Sequence, residues 1–362
     1  MRFGLPTAAE PVVPPDLLAE TRGRERGGTG GFGGSPRPVF VLGALRSGAS
    51  LLTLSLGQHP NLLPVLETNW FERFGIGLQQ SFAQGLRHRN RSQLDVAGIE
   101  IEDFFAHFGV AIAGMMLRSV VVDAGASDGA AANPYWPTRW VDGTPSNCFA
   151  VFVLRRLFPE ARFVHVVRDL DDAVDALTTD KTRRLYRSRY MRLTAEQAYR
   201  HWLDTTRACL DAERAFGSAV VLRIRRDDLI AAPEQTLRHC LDFLGEPFAP
   251  AVLRPFSSVG PVERPPEARA ESALRRAKLR KLRDEAEALN ACLADGSLGT
   301  AFPEDALRIA QMEAAFSTRC ERGLSAVPAS LPDADAKPGR GLPSWVPVGP
   351  MRTLIDRKRG PR

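Results

Sequence analysis

The segment with the clearest chemical content is Gly43-Ala44-Leu45-Arg46-Ser47-Gly48-Ala49-Ser50. It lies between an apolar run, PVFVLG at 38–43, and SLLTLSLGQH, which reads as a helix ending near Gly57. A glycine loop at such a junction turns backbone N–H groups and the positive end of the helix dipole towards one point, where an anion fits. The spacing is G-x-x-x-x-G, that of a nucleotide-phosphate loop. In the ATP-binding version the next residue is a lysine, followed by a hydroxyl residue that holds magnesium. Here Ser50 keeps the hydroxyl, but Ala49 stands at the lysine position, which makes a poor ATPase or kinase loop. The positive charge has moved inside the loop to Arg46. A guanidinium there could reach the bridging oxygen of a phosphate-linked leaving group. The same residues also fit a plain Gly-rich turn with a surface arginine, and the loop alone leaves both readings open.

Two further stretches give the loop a context. FVLGALRSGASLLTLSLGQHPNL resembles the 5′-phosphosulfate loop of sulfotransferases that use PAPS (3′-phosphoadenosine 5′-phosphosulfate) as donor. Arg46, Ser47, Gly48, Ser50 and His59-Pro60-Asn61 match that pattern, whereas Leu45 replaces the usual proline and Ala49 the first threonine. RLFPEARFVHVVRDLDDAVDAL is similar to the family's 3′-phosphate strand. Arg168 falls at the end of that strand, where sheet enzymes bind ligands. The resemblance implies that Arg168 grips the donor's 3′-phosphate. The family's partner serine is replaced by Ala176. VVLRIRRDDLIAAPEQTLRHCLDFLGEPF resembles the family's closing unit, R-Y-E-D-L-x-x-x-P-E, with Arg226 in place of the tyrosine. The three stretches cover about residues 38–256 in the family's order.

The resemblance implies PAPS as donor substrate, released as PAP, with no metal. It implies a donor site of Arg46, Ser47, Gly48, Ala49, Ser50 and Arg168, with Arg46 also acting in catalysis. The sulfuryl group carries less charge than a phosphoryl dianion, so magnesium is not required. A lost hydrogen bond to a charged group costs roughly 1.5–3 kcal/mol, so two such losses could weaken donor binding about a hundredfold or more. Arg225 or Arg226 could compensate.

Sulfuryl transfer also needs a group to take the acceptor's proton. Glu67, in LLPVLETNWF, follows a second short strand and matches by position the glutamate base of the tyrosylprotein sulfotransferase branch. The competing role for Glu67 is to start a helix over 68–80. His59 is a rival base, although its place at a helix end beside Pro60 suits a turn cap better. WVDGTPSN (140–147) resembles the family's acceptor-side D-K-T-P segment, with Gly143 where the lysine would stand. Asp142 either orients the acceptor or caps the next helix, and Thr144 and Ser146 read as helix-start residues.

These groups need a scaffold. RFVHVVRD (162–169) and AVVLRI (219–224) read as buried parallel strands, each following a helix, at 145–158 and 194–215. Strand–helix alternation predicts an α/β fold: a parallel sheet flanked by helices, nucleotide-binding and sulfotransferase-like. PEQTLRHCLDFL (233–244) reads as a helix with Pro at its start and Gly245 after its end. Residues 267–295 read as a long charged helix packed on the body through Leu274, Leu282, Leu289 and Leu293. The expected organisation is a flexible Gly/Pro/Arg-rich leader at 1–37, a domain at 38–323, and a Pro-rich, basic, disordered tail at 324–362. The Gly-, Ala- and aromatic-rich stretch from about 75 to 137 is expected to shape the acceptor pocket.

Charge argues against nucleic acid as a partner. Seven basic residues and one acid, Asp356, between 337 and 362 carry the whole net charge of +6. The remaining chain is neutral and lacks the broad basic face that duplex binding needs. Five cysteines, an odd number without metal spacing, suit a reducing compartment. No run of about 18 apolar residues predicts a membrane span, and prolines interrupt the N-terminus where a signal peptide needs an apolar stretch, so the setting reads as cytoplasmic. The acceptor stays open among small molecules, carbohydrates and peptides, as does pairing with a second copy. Three functions compete: an active PAPS sulfotransferase, a weak or inactive sulfotransferase-fold nucleotide- or partner-binding protein, and a small-molecule P-loop kinase.

Overall fold

The computed structural model describes residues 35–65, 67–86, 93–123, 139–178, 193–258 and 273–323. The expected tail and nearly all of the expected leader lie outside these residues. Five strands form one sheet: β1 (Val39–Leu42), β2 (Leu62–Pro64), β3 (Arg139–Asp142), β4 (Arg162–Val167) and β5 (Val221–Arg225). Every pairing is parallel and the order is β2-β3-β1-β4-β5. From β1 the chain runs to the edge strand β2 and returns through β3. It then crosses over β1 to β4 and continues outward to β5. β1 and β4 are therefore neighbours, with Leu42 opposite His165, and their outgoing connections part in opposite directions. That divergence opens a crevice at the strand ends, where open α/β sheets bind ligands.

Burial explains why short strands suffice. Side chains alternate across the sheet, so Phe40, Leu42, Trp140 and Phe163 enter one core, and Val39, Val41, Val141, Val164 and Val166 enter the other. All four residues of β1 are fully buried, as expected of a central parallel strand covered on both faces. The aromatic core is covered by α2 (Phe71–Leu86), α4 (Ile101–Asp123), α5 (Val151–Leu157), α7 (Ala195–Phe216) and α11 (Ala306–Arg322). The short α3 spans Gln93–Val96. The aliphatic core is covered by α1 (Ala49–Leu56), α8 (Arg226–Ala231), α9 (Pro233–Leu244) and the 3-10 turn 250–258. α6 (Leu170–Thr178) and α10 (Ala273–Ala294) close the end near β4. Among the described residues no helix is long and apolar enough to cross a membrane.

Most expected elements appear within a few residues of their bounds. α9 begins at Pro233 and ends on Gly245, whose φ of +71 is the left-handed conformation that glycine adopts freely. The stretch 145–158 splits into a 3-10 turn at 145–149 and α5. α10 starts at Ala273; Leu282, Leu289 and Leu293 pack on the body, while 267–272 lie outside the described residues. The aromatic content of 75–137 has a second use. Phe82 and Phe105 are buried, because α2 and α4 must roof the β2-β3-β1 half of the sheet.

A charged cluster pins α7 to the sheet. His165 on β4 and Arg223 on β5 stand in register, and both donate to the Glu213 carboxylate on α7. The His165 Nδ1 to Glu213 Oε1 distance is 2.5 Å, and both residues are almost wholly buried. Burial opposes charge on His165, but contacts with Cys209 and Glu213 outweigh it and push the pKa up to about 10. The Cys209 thiol is itself raised well above its ordinary value and stays neutral, so Glu213 supplies the charge that holds the imidazolium. Burial raises the Glu213 pKa, but His165 and Arg223 outweigh that and leave it lowered. A histidine with a raised pKa stabilises the fold fully below its unfolded value of about 6.5, and that contribution is lost as pH rises through about 10. Glu213→Gln should cost about 3–5 kcal/mol near neutral pH, because it leaves buried cations unpaired. Urea denaturation from pH 6 to 10 should show the difference between the two proteins shrinking towards the alkaline end; a constant difference would deny the ion pair.

Candidate active site

The loop 43–48 joins β1 to α1 at the crevice. Gly43 has φ +149, and a Cβ there would lie 2.6 Å from Ser47 Oγ and 2.7 Å from the Val166 carbonyl, so only glycine fits. Ser47 N–H donates to the Ala44 carbonyl and closes the turn. Ser47 is buried and Ser50 is exposed at the start of α1. Arg46 has φ +69, a left-handed conformation that costs a non-glycine residue roughly 1–2 kcal/mol. α1 starts at Ala49, whose N–H donates to Ser47 Oγ at 3.4 Å; Gly48 before it has no side chain to cap the helix and the first turn holds no acid, so the N-terminal end keeps its positive potential.

Arg168 follows β4 directly and meets this loop. Its Nη1 donates to the Arg46 carbonyl at 2.7 Å. Its Nε is buried and has no hydrogen-bond partner among the described residues. Burial first, and the nearby charge of Arg226 second, push the Arg168 pKa down to about 10, which still leaves it charged at neutral pH. Gly48 faces Arg226: a Cβ on Gly48, whose φ is +105, would lie 3.3 Å from Arg226 Cγ. Arg46, Ser47, Gly48, Ala49, Ser50 and Arg168 thus come together, and Arg226 joins them.

Helix α7 holds both halves of this arrangement. Leu45 N–H donates to His201 Nε2 at 2.9 Å, and Trp202 Nε1 donates to the Arg168 carbonyl at 3.1 Å. Burial pushes the His201 pKa down to about 4, so the ring is neutral and its Nε2 lone pair can accept. The N–H that Leu45 adds where the resembled motif has proline is therefore satisfied. Sequence reasoning missed His201 and Trp202. The available signal was a run of polar residues at helical spacing, His201, Thr205, Cys209 and Glu213, on the buried side of an otherwise amphipathic helix.

On the other flank, Glu67 follows β2 just beyond the strand end. Asp142, fully buried at the end of β3, anchors its neighbour. Asp142 accepts from Thr68 Oγ1 (2.7 Å), Thr144 N (2.8 Å), Thr144 Oγ1 (2.5 Å) and Asn147 Nδ2 (3.0 Å). Thr68 N–H donates in turn to Thr144 Oγ1 at 2.8 Å. Asp142 is thereby committed to the turn and clamps the backbone that carries Glu67. Glu67 itself opens to solvent and lies before α2, whose first-turn acid is Glu72, so it does not start that helix. Protein around the carboxylate raises its pKa above the ordinary 4.5, with a bond from Asn69 lowering it and the Asp142 charge raising it.

His59 lies elsewhere. It precedes β2, at the opposite, N-terminal end of the parallel strands, and both ring nitrogens are used: Nδ1 accepts from Asn61 N–H and Nε2 bonds to the Pro247 carbonyl. It caps a turn. At Gly143 a Cβ would lie 2.3 Å from Thr53 Oγ1, so the lysine of the resembled motif would need Thr53 to move. Among the described residues, no group of His, Cys, Asp and Glu is arranged to hold a metal. Asn69→Gly keeps the left-handed backbone at this position (φ +43) and removes the donor to Glu67. Carboxyl NMR titration should find the Glu67 pKa above 4.5 in the native protein and higher still in the variant; a lower value in the variant would contradict this electrostatic assignment.

Known proteins resemble this chain. The chain is similar to a sulfotransferase domain from the curacin biosynthetic pathway, with 18% identity over 78% of this chain and 98% of that one and a TM-score of 0.38. The sulfotransferase domain of the Synechococcus PCC 7002 olefin synthase is 19% identical over 80% and 98%, with a TM-score of 0.37. A sulfotransferase from Alicyclobacillus acidocaldarius is 16% identical over 78% and 96%, with a TM-score of 0.38. The profile of the Sulfotransferase family matches residues 38–250, which takes in the loop, Glu67, Asp142, Arg168 and Arg226, and the chain belongs to that family.

Proposed function

We propose that the chain transfers a sulfuryl group from PAPS to an acceptor hydroxyl or amine. The observation that carries this reading is the meeting of a lysine-free phosphate loop with Arg168 at one sheet switch point. A donor with phosphate groups at two positions suits two cationic contacts from two strands. The buried, unpartnered Nε of Arg168 and the close backbone approach at Gly43 and Gly48 fit such a ligand.

When bound, PAPS supplies the sulfuryl group and leaves as PAP. The N–H groups at the start of α1 and the Arg46 guanidinium stabilise charge on the 5′ side, and Arg168 holds the 3′-phosphate. Glu67 lies two strands from the loop, about 10 Å at ordinary strand spacing, which leaves room for an acceptor between them. With its pKa raised, Glu67 holds a proton more firmly than a surface glutamate, which suits the general base for the acceptor. The acceptor is a small molecule, carbohydrate or peptide, and five free thiols fit a cytoplasmic setting.

A second reading, nucleotide binding with little or no transfer, is favoured by Gly143, where the lysine that would neutralise the transferred group is missing and Thr53 crowds its place. Transfer of radiolabelled sulfate from PAPS across an acceptor panel separates the two. In that assay Glu67→Gln should lower the rate about a hundredfold or more while leaving PAP affinity nearly unchanged. Normal turnover by the variant would remove Glu67 as the base, and PAP binding without transfer to any acceptor would favour the second reading.

A further inference from the structure

We propose that Arg226 is a donor-binding residue that lies across the phosphate loop beside Arg168 and takes up the anchoring lost at Ala49 and Ala176. The proposal rests on the PAPS reading above. Its basis is placement. The Arg226 stem covers Gly48, with Cγ, Cδ and Nε lying 3.3, 3.4 and 3.7 Å from a Cβ built there. Arg168 binds the same loop two residues earlier, at the Arg46 carbonyl. The two guanidinium groups are close enough for the charge of Arg226 to depress Arg168.

The neighbouring arginine is turned away. Arg225 Nη1 donates to the Leu293 carbonyl on α10 at 3.3 Å, and Nη2 lies 3.9 Å from Asp227. No ion pair to Arg226 is found among the described residues. Two like charges facing one glycine loop repel each other until an anion comes between them. Arg168 reaches the loop from β4 and Arg226 from the end of β5, so an anion on the loop meets both guanidinium groups. The neutral side chains at 49 and 176 can offer an anion neither charge nor a hydrogen bond. A guanidinium offers both, in a fork that matches phosphate oxygens.

The test is calorimetric titration, in EDTA, of PAP, adenosine 5′-monophosphate and adenosine 3′-monophosphate. The proteins are the native chain, Arg226→Ala, Arg226→Gln, Arg225→Ala and Arg168→Ala. Arg226→Gln keeps the stem over Gly48, and a thermal melt confirms that each variant is folded. Arg226→Ala and Arg226→Gln should each weaken PAP by about tenfold or more and weaken both monophosphates. Arg168→Ala should spare the 5′-monophosphate, and Arg225→Ala should keep PAP within about twofold. PAP affinity within twofold in folded Arg226→Gln, with native binding intact, overturns the role of Arg226 alone. Absence of PAP binding by the native protein overturns the donor reading and this inference together.

Discussion

The Arg168 guanidinium donates to the Arg46 carbonyl across the ends of two adjacent parallel strands. That bond depends on β1 lying beside β4, which follows from a chain path that leaves β1 one way and β4 the other. It holds a non-glycine residue in a left-handed conformation and so sets the shape of the glycine loop 43–48. Without the crossover, the two cationic positions would lie on separate parts of the sheet edge. Shape and charge at this point therefore share one cause.

Helix α7 supports the arrangement from behind. Adjacent residues, His201 and Trp202, fix the backbones of Leu45 and Arg168. Three turns further on, Glu213 ties the same helix to β4 and β5 through two buried cations. A neutral His201 and a charged His165 on packed elements do opposite work. Burial without an acid leaves the first as an acceptor, whereas burial beside a carboxylate makes the second a donor. The β2–β3 flank uses the same logic with Asp142, whose four hydrogen bonds fix the backbone at Thr68, next to Glu67.

Much of this was legible in the sequence where the signal was local. Short apolar runs gave β1, β4 and β5, Pro233 and Gly245 bounded α9, and the loop and Arg168 were placed by strand-end position, whereas β3 at 139–142 was not read as a strand. Long-range pairing was not legible. Nothing in a local window says that Leu45 N–H meets a histidine 156 residues away, or that Thr53 fills the space beside Gly143. The choice between Arg225 and Arg226 also depended on which side of β5 each residue leaves, and only packing against α10 and Gly48 decides that. Aromatic residues between 75 and 137 carried a composition signal that suits both a pocket and a core, and burial assigns Phe82 and Phe105 to the core.

The central claim is that this phosphate loop, lacking a lysine after its second glycine, serves a 3′,5′-bisphosphonucleotide and not a nucleoside triphosphate. Calorimetry on the native chain tests it directly, with PAP titrated in EDTA and ATP titrated with magnesium. The account predicts saturable PAP binding without metal and no binding of magnesium-ATP. Binding of magnesium-ATP with none of PAP would contradict it.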